Sequence, residues 1–244
     1  MRSPSYFLSA LAIALCLPCT SLGQSLYYPT HHAGSNGLSA WMYQKRIIGF
    51  SREVQNAQNI WLLLHGNAGQ AADRSYALPA FSASDSVFIL EYPGYGQRVG
   101  TPSLESFNQA AKEAYELLRS RFPKTPVCVV GESIGTGPAS SLALESVPPS
   151  KIVLIVPFEI LSRVIADHLP SLPATTQIRD NWNNIESLRN YRGPLEIFGA
   201  KNDEVIPIAH AKALAASKPS AIYHEIDGGH NAWSKDPKVK ITNP

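Results

Sequence analysis

Val129-Val130-Gly131-Glu132-Ser133-Ile134-Gly135-Thr136-Gly137 is the stretch from which the rest of the chain is read. The small and β-branched residues from Pro126 to Val130 predict a buried strand, because a sheet covered on both faces carries an unbroken apolar run. That run stops at Gly-Glu-Ser-Ile-Gly, and Pro138 to Leu144 predicts a helix. A G-x-S-x-G between a strand and a helix is the pattern of a nucleophile elbow. Glycine stands on both sides because the serine occupies a strained turn, where side chains two positions away would meet neighbouring backbone. The hydroxyl then projects from the end of the sheet, beside the N–H groups that open the helix.

Working outward, strands alternate with helices. Strands are predicted at Arg46–Phe50, Ile60–Leu64, Ser86–Leu90, Ile152–Val156, Leu195–Phe198 and Ile222–Ile226. Helices are predicted from about Gln70 to Phe81, from Ser103 to Arg121 and from Ile208 to Ser217. In the second of these, Phe107, Ala111, Ala114, Tyr115 and Leu118 recur at helical spacing, and Ser103 and Pro123 mark its ends. Such alternation implies an α/β fold, a mostly parallel central sheet with helices on both faces. Residues 24–37 read as a polar, extended lead-in. The segment 157–192, broken by Pro170 and Pro173, reads as a short cap insertion rather than a packed layer. Leu161, Val164, Ile165 and Leu169 form an apolar stripe along it, joined by Leu172 and Trp182. The stripe either packs on the domain core or lines an acyl pocket. After Trp233 the chain is charged and proline-broken, which argues against a final packed helix.

The N-terminus has Arg2, an apolar run from Tyr6 to Leu17, and the small-residue site Ser21-Leu22-Gly23. This is the order of a secretory signal peptide, with cleavage expected after Gly23, so residues 1–23 are a leader and 24–244 a single domain in a secreted or periplasmic protein. The run falls short of the roughly 20 apolar residues that span a bilayer, so no stable membrane insertion is expected after cleavage. The formal net charge of the whole chain is only +2, and loss of Arg2 lowers it further. That balance gives no electrostatic case for nucleic acid or an anionic membrane. Cys16 and Cys19 leave with the leader. Cys128, alone in an apolar strand, reads as a small core residue.

A serine hydroxyl is a weak nucleophile until a base takes its proton and an acid holds that base in one tautomer. With an elbow serine the chain order is serine, acid, histidine. Gly199-Ala200-Lys201-Asn202-Asp203-Glu204-Val205-Ile206-Pro207 follows one predicted strand, and Gly228-Gly229-His230-Asn231 follows the last. Both are C-terminal strand ends, where ligands collect in open α/β sheets. Ser133, Asp203 and His230 are therefore the candidate catalytic residues. Glu204 and Asp227 are the rival acids, and the apolar Val205-Ile206-Pro207 favours a turn that aims Asp203 inward. Negative charge developing on an acyl oxygen needs two preorganised N–H donors. Ile134, after the serine, is one candidate, and Asn67 in His65-Gly66-Asn67-Ala68-Gly69 is the other, with Ala68 next. His65 reads as a brace for that loop. No Cys/His cluster suggests a metal, and acyl transfer on such a triad needs no organic cofactor.

These motifs resemble those of the α/β-hydrolase superfamily of serine hydrolases, from about Lys45 to Asn231. Leu64-His65-Gly66-Asn67-Ala68-Gly69, Glu91-Tyr92-Pro93-Gly94-Tyr95-Gly96, Ser133-Ile134-Gly135-Thr136-Gly137 and Gly228-Gly229-His230-Asn231 look like the branch with lysophospholipase-like and protein-depalmitoylating members. Asn183-Asn184-Ile185-Glu186 is similar to a segment those members carry before the acid strand. Glu91 departs from the branch, which usually has aspartate there. The resemblance implies hydrolysis of carboxylic esters or thioesters of small acyl substrates through an acyl-enzyme. A peptidase or amidase, an acyltransferase, and a silent binding module are the alternatives on the same fold.

Overall fold

A computed structural model describes residues 26–34, 36–170 and 178–243. The leader assigned to 1–23, and Leu172 of the apolar stripe, lie outside the described residues.

The strands are β1 (Tyr28–Pro29), β2 (Ser39–Tyr43), β3 (Arg46–Arg52), β4 (Ile60–Leu64), β5 (Ala68–Gly69), β6 (Ser86–Leu90), β7 (Val127–Glu132), β8 (Ile152–Ile155), β9 (Leu195–Ala200) and β10 (Ile222–Ile226). The α-helices are α1 (Leu104–Arg121), α2 (Thr136–Ser141), α3 (Leu161–His168), α4 (Asn184–Leu188) and α5 (Ile208–Ser217). Eight strands form one sheet in the order β10-β9-β8-β7-β4-β6-β3-β2, and β1 pairs with β5 apart from it. From β10 to β6 all neighbours run parallel, and β3 runs antiparallel to both β6 and β2. The elbow strand β7 is central, flanked by β4 and β8.

Each central strand is buried along its whole length, as its unbroken apolar run requires. Alternate residues serve opposite faces. Ile60, Leu62, Leu64, Val129, Ile152 and Leu154 join Phe107, Ala111, Leu118, Ala139 and Leu214 in one core. Trp61, Leu63, Val130, Val153 and Ile155 join Ala71, Ala77, Phe81, Trp233 and Ile241 in the other. The α-helices α1, α2 and α5 thus contribute to one core only. The opposite face is covered by the helical residues 71–80 and by the C-terminal tail, so helices lie on both faces as expected.

The helical stretch expected from about Gln70 to Phe81 is a 3-10 helix over Ala71–Ala80. Bonds from Asp73 N to Gln70 O and from Phe81 N to Leu78 O span three residues, and Pro79 cannot donate to an α-helical ladder. The tail carries only a 3-10 turn at Trp233–Lys235, after which Ile241 N donates to Ala80 O at 2.8 Å. The elbow helix is α-helical only over α2 and tightens to 3-10 at Leu142–Leu144. Strand β2 was not anticipated. Only its Trp41 is buried, so its sequence gives no clear alternation.

Several described residues of the segment 157–192 pack on the domain core. Leu161, Val164, Trp182, Leu188 and Tyr191 belong to the same core as α1. Trp182 lies against Gly137, packs on Phe107 at 6.1 Å between ring centroids, and donates to Asn108 Oδ1 at 2.8 Å. The stripe therefore packs on the core through Leu161, Val164 and Trp182, with Ile165 partly buried against it. Large-to-small changes at buried tryptophans cost about 3–5 kcal/mol. Trp182→Ala is expected to lower stability by about that amount in urea denaturation, a loss with no counterpart for a residue lining an open pocket.

Candidate active site

Three loops meet at the C-terminal end of the sheet. Ser133 follows β7 with φ +55°, a conformation that only tight packing sustains for a residue with a side chain. A Cβ at Gly131 would lie 2.6 Å from the Gly135 carbonyl oxygen, and one at Gly135 would overlap the Leu64 carbonyl oxygen of β4. Both glycines are therefore set by close approach of backbone. Thr136 Oγ1 donates to the Ser133 carbonyl at 2.7 Å and closes the turn.

Asp203 and His230 follow β9 and β10. Asp203 Oδ1 accepts from Val205 N at 2.9 Å and Ile206 N at 2.7 Å, so its own turn aims the carboxylate. The His230 loop turns at Gly228 (φ +89°) and is pinned by Asn202 N donating to Gly228 O at 3.0 Å. His230 Nδ1 lies 2.9 Å from Asp203 Oδ1 and 2.8 Å from Oδ2, and Nε2 lies 2.9 Å from Ser133 Oγ. The carboxylate accepts the Nδ1 proton, which leaves Nε2 free to accept from the serine hydroxyl. All three side chains are buried or nearly so. The rival acids are placed elsewhere. Glu204 Oε2 accepts the His230 backbone N–H at 3.4 Å, and Asp227 is exposed and paired with Lys201 and Lys238.

The loop after β4 lies against the serine, where a Cβ at Gly66 would be 3.5 Å from Ser133 Cβ. The Asn67 side chain is engaged elsewhere. Its Nδ2 donates to Leu26 O, and its Oδ1 accepts from Tyr95 Oη at 2.8 Å and Tyr28 N at 3.3 Å. What Asn67 can offer a substrate is its backbone N–H. His65 braces this loop, with Nδ1 donating to Gly66 O at 2.7 Å and its ring packed on Tyr92 and Tyr95. The other described histidines lie outside the site: His210 pairs with Glu159 and Asp167, and His224 with Glu196.

Four residues of this region carry no motif that singles them out: Arg74, Tyr76, Glu132 and Trp233. Glu132, beside Ser133, accepts from Trp233 Nε1 at 2.9 Å, from Tyr76 Oη at 2.9 Å and from Gly66 N at 3.3 Å. Burial opposes its ionisation. The Arg74 charge, the Trp233 and Tyr76 hydrogen bonds and the nearby His230 outweigh that and hold its carboxyl below the usual range. The one sequence signal was a carboxylate ending an apolar strand. Burial likewise pushes the Cys128 thiol up to about 12, consistent with a core residue.

No family model matches the chain. Over 176 residues it is 32% identical to an uncharacterized protein of Mycobacterium tuberculosis strain H37Rv, an alignment covering 70% of this chain and 62% of that one. It is 31% identical to the alpha/beta hydrolase domain-containing protein aho-3 of Caenorhabditis elegans, over 70% of this chain and 51% of that protein. It is 29% identical to the lysophosphatidylserine lipase ABHD12 of Rattus norvegicus, over 64% and 44%. The chain thus spans between about two fifths and three fifths of these relatives. An esterase of Pyrococcus furiosus superposes with a TM-score of 0.64 at 14% identity, covering 84% of this chain and 91% of that one. An alpha-beta hydrolase of Vibrio vulnificus superposes with a TM-score of 0.62 at 17% identity, over 77% and 71%. The fold is that of the α/β hydrolases, and the sequence is similar to a relative named for that domain.

The depressed carboxyl of Glu132 has a consequence in solution. A group whose folded pKa lies below its unfolded value stabilises the fold above the unfolded pKa and loses that contribution as pH falls through the folded one. The urea midpoint should therefore decline on acidification below the ordinary carboxylate range, and Glu132→Gln should flatten that decline.

Proposed function

We propose that this chain is a serine hydrolase of small-molecule carboxylic esters or thioesters, acting through an acyl-enzyme. The observation that carries the reading is the unbroken hydrogen-bonded line from Ser133 Oγ through His230 to Asp203. Ser133 Oγ attacks the acyl carbon as His230 Nε2 takes its proton, and Asp203 holds the imidazole and stabilises its cation. The oxyanion faces the backbone N–H groups of Ile134 and Asn67. His230 then protonates the leaving alkoxide or thiolate, and a water deprotonated by His230 releases the acid and restores Ser133. The relatives named as a lysophosphatidylserine lipase and the structural neighbours named as esterases support an ester as the bond cleaved. Export directed by residues 1–23 belongs to the same proposal, supported by their charged, apolar and small-residue order.

A fluorophosphonate should label the protein once, with Ser133→Ala abolishing labelling while circular dichroism stays unchanged. Labelling that persists in Ser133→Ala would move the nucleophile elsewhere. With p-nitrophenyl butyrate, Asp203→Asn should lower kcat by about 10³–10⁴-fold through the wrong imidazole tautomer. Glu204→Gln should stay within a few-fold of the parent, and the reverse ranking would assign the acid to Glu204.

A further inference from the structure

Among the described residues, a buried polar cluster outside the triad lies under the loop after β4. Arg74 is almost wholly buried within the 3-10 helix 71–80. Its Nη2 donates to the carbonyls of Gly66, at 3.3 Å, and Ala68. Its Nη1 donates to Tyr76 Oη at 3.1 Å, and that hydroxyl donates onward to Glu132. Glu132 closes the circuit by accepting from Gly66 N. One buried cation and one buried anion thus grip the same glycine from its two ends.

Peptide geometry turns this grip into a direction. No peptide bond in the described chain is cis, so each N–H points opposite to the C=O of the residue before it. The 65–66 peptide is held at both ends, with its N–H on Glu132 and the His65 carbonyl accepting from Tyr92 Oη at 3.0 Å. In the 66–67 peptide the carbonyl is held from below by Arg74 and His65 Nδ1. Its other end, the Asn67 N–H, must point away from Arg74. A rotation of this one plane would present a carbonyl oxygen to the substrate in place of a donor, and a carbonyl repels an oxyanion.

We propose that Arg74, coupled through Tyr76 to Glu132, is a positioning residue that presets the 66–67 peptide so that its N–H receives the acyl oxyanion. This rests on the hydrolase reading above. Glu132 extends the same function to the base. Its bond to Trp233 Nε1 anchors the chain three residues beyond His230, so one carboxylate links the nucleophile, oxyanion and base loops. A preorganised donor of this kind acts on the transition state more than on the bound ester, so its loss appears in kcat.

The test is steady-state hydrolysis of p-nitrophenyl butyrate by Arg74→Ala, Arg74→Lys and Tyr76→Phe, each first checked for folding by circular dichroism and thermal melting. Arg74→Ala is expected to lower kcat by about 10–100-fold with KM within about two-fold, less than outright loss of an oxyanion donor. Added ethylguanidinium should restore part of that kcat, a rescue that mere destabilisation would not show. The Tyr76 ring is partly exposed, so Tyr76→Phe should fold, and its kcat should fall by about 3–10-fold as Arg74 and Glu132 uncouple. A folded Arg74→Ala with parental kcat, or with a loss confined to KM, would overturn the proposal. If Arg74→Ala does not fold, an unchanged kcat in Tyr76→Phe overturns it. Absence of both hydrolysis and fluorophosphonate labelling in the parent protein would overturn the hydrolase reading itself. Hydrolysis by the parent with unaltered variants would overturn only the positioning.

Discussion

The left-handed backbone at Ser133 is the constraint on which the rest depends. A non-glycine residue there costs on the order of 1–3 kcal/mol, and it persists only when its surroundings leave no alternative. Here β7 is locked between β4 and β8, and the turn is pressed against Leu64 of β4 by the absence of a side chain at Gly135. Relaxing the turn would need separation of β4 from the elbow, which would expose two central strands. The strain is therefore held by the whole sheet, and the serine hydroxyl is the group it delivers to His230.

A second strained residue helps shape the neighbouring loop. Val156, at the end of β8, has φ +45°, unfavourable for a β-branched side chain, while its N–H donates to Phe198 O at 2.8 Å. The kink redirects the chain into Pro157–Glu159, where the buried Glu159 carboxylate meets His210 of α5 at 2.7 Å. Helix α5 begins directly after the turn that carries Asp203. The two kinks thus serve different members of the Ser133–His230–Asp203 line: one presents the serine hydroxyl, and the other secures the ground behind Asp203.

Beneath the loops, a buried anion and a buried cation answer one another. Glu132 in an apolar setting would be costly alone, and so would Arg74. Joined through Tyr76 and satisfied by Gly66, Trp233 and two loop carbonyls, they cross-link segments far apart in the chain. The C-terminal tail is recruited in the same way. Lys151 Nζ donates to Thr242 O at 2.7 Å while Ile241 fills the core beside Phe81. Among the described residues, this face of the sheet is covered by the 3-10 helix 71–80 and the tail.

Strands β4, β6 and β10 and helix α5 have the bounds their sequences predict, because each is a short apolar or periodic run between turn residues and depends on local pattern alone. The same local logic singles out Ser133, Asp203 and His230 as candidates. Each sits at a strand end whose glycines, or whose own side chain in the case of Asp203, dictate the turn. Tertiary structure decided what depends on distant partners. The helix at 71–80 took 3-10 form, β2 paired despite its weak alternation, and Trp182 packed on Gly137 and bonded Asn108. The meeting of Arg74, Glu132 and Trp233 is of the same kind. Sequence periodicity records which face a residue presents, whereas a buried ion and its partners are joined only when separate segments pack, so their pairing was settled by the fold.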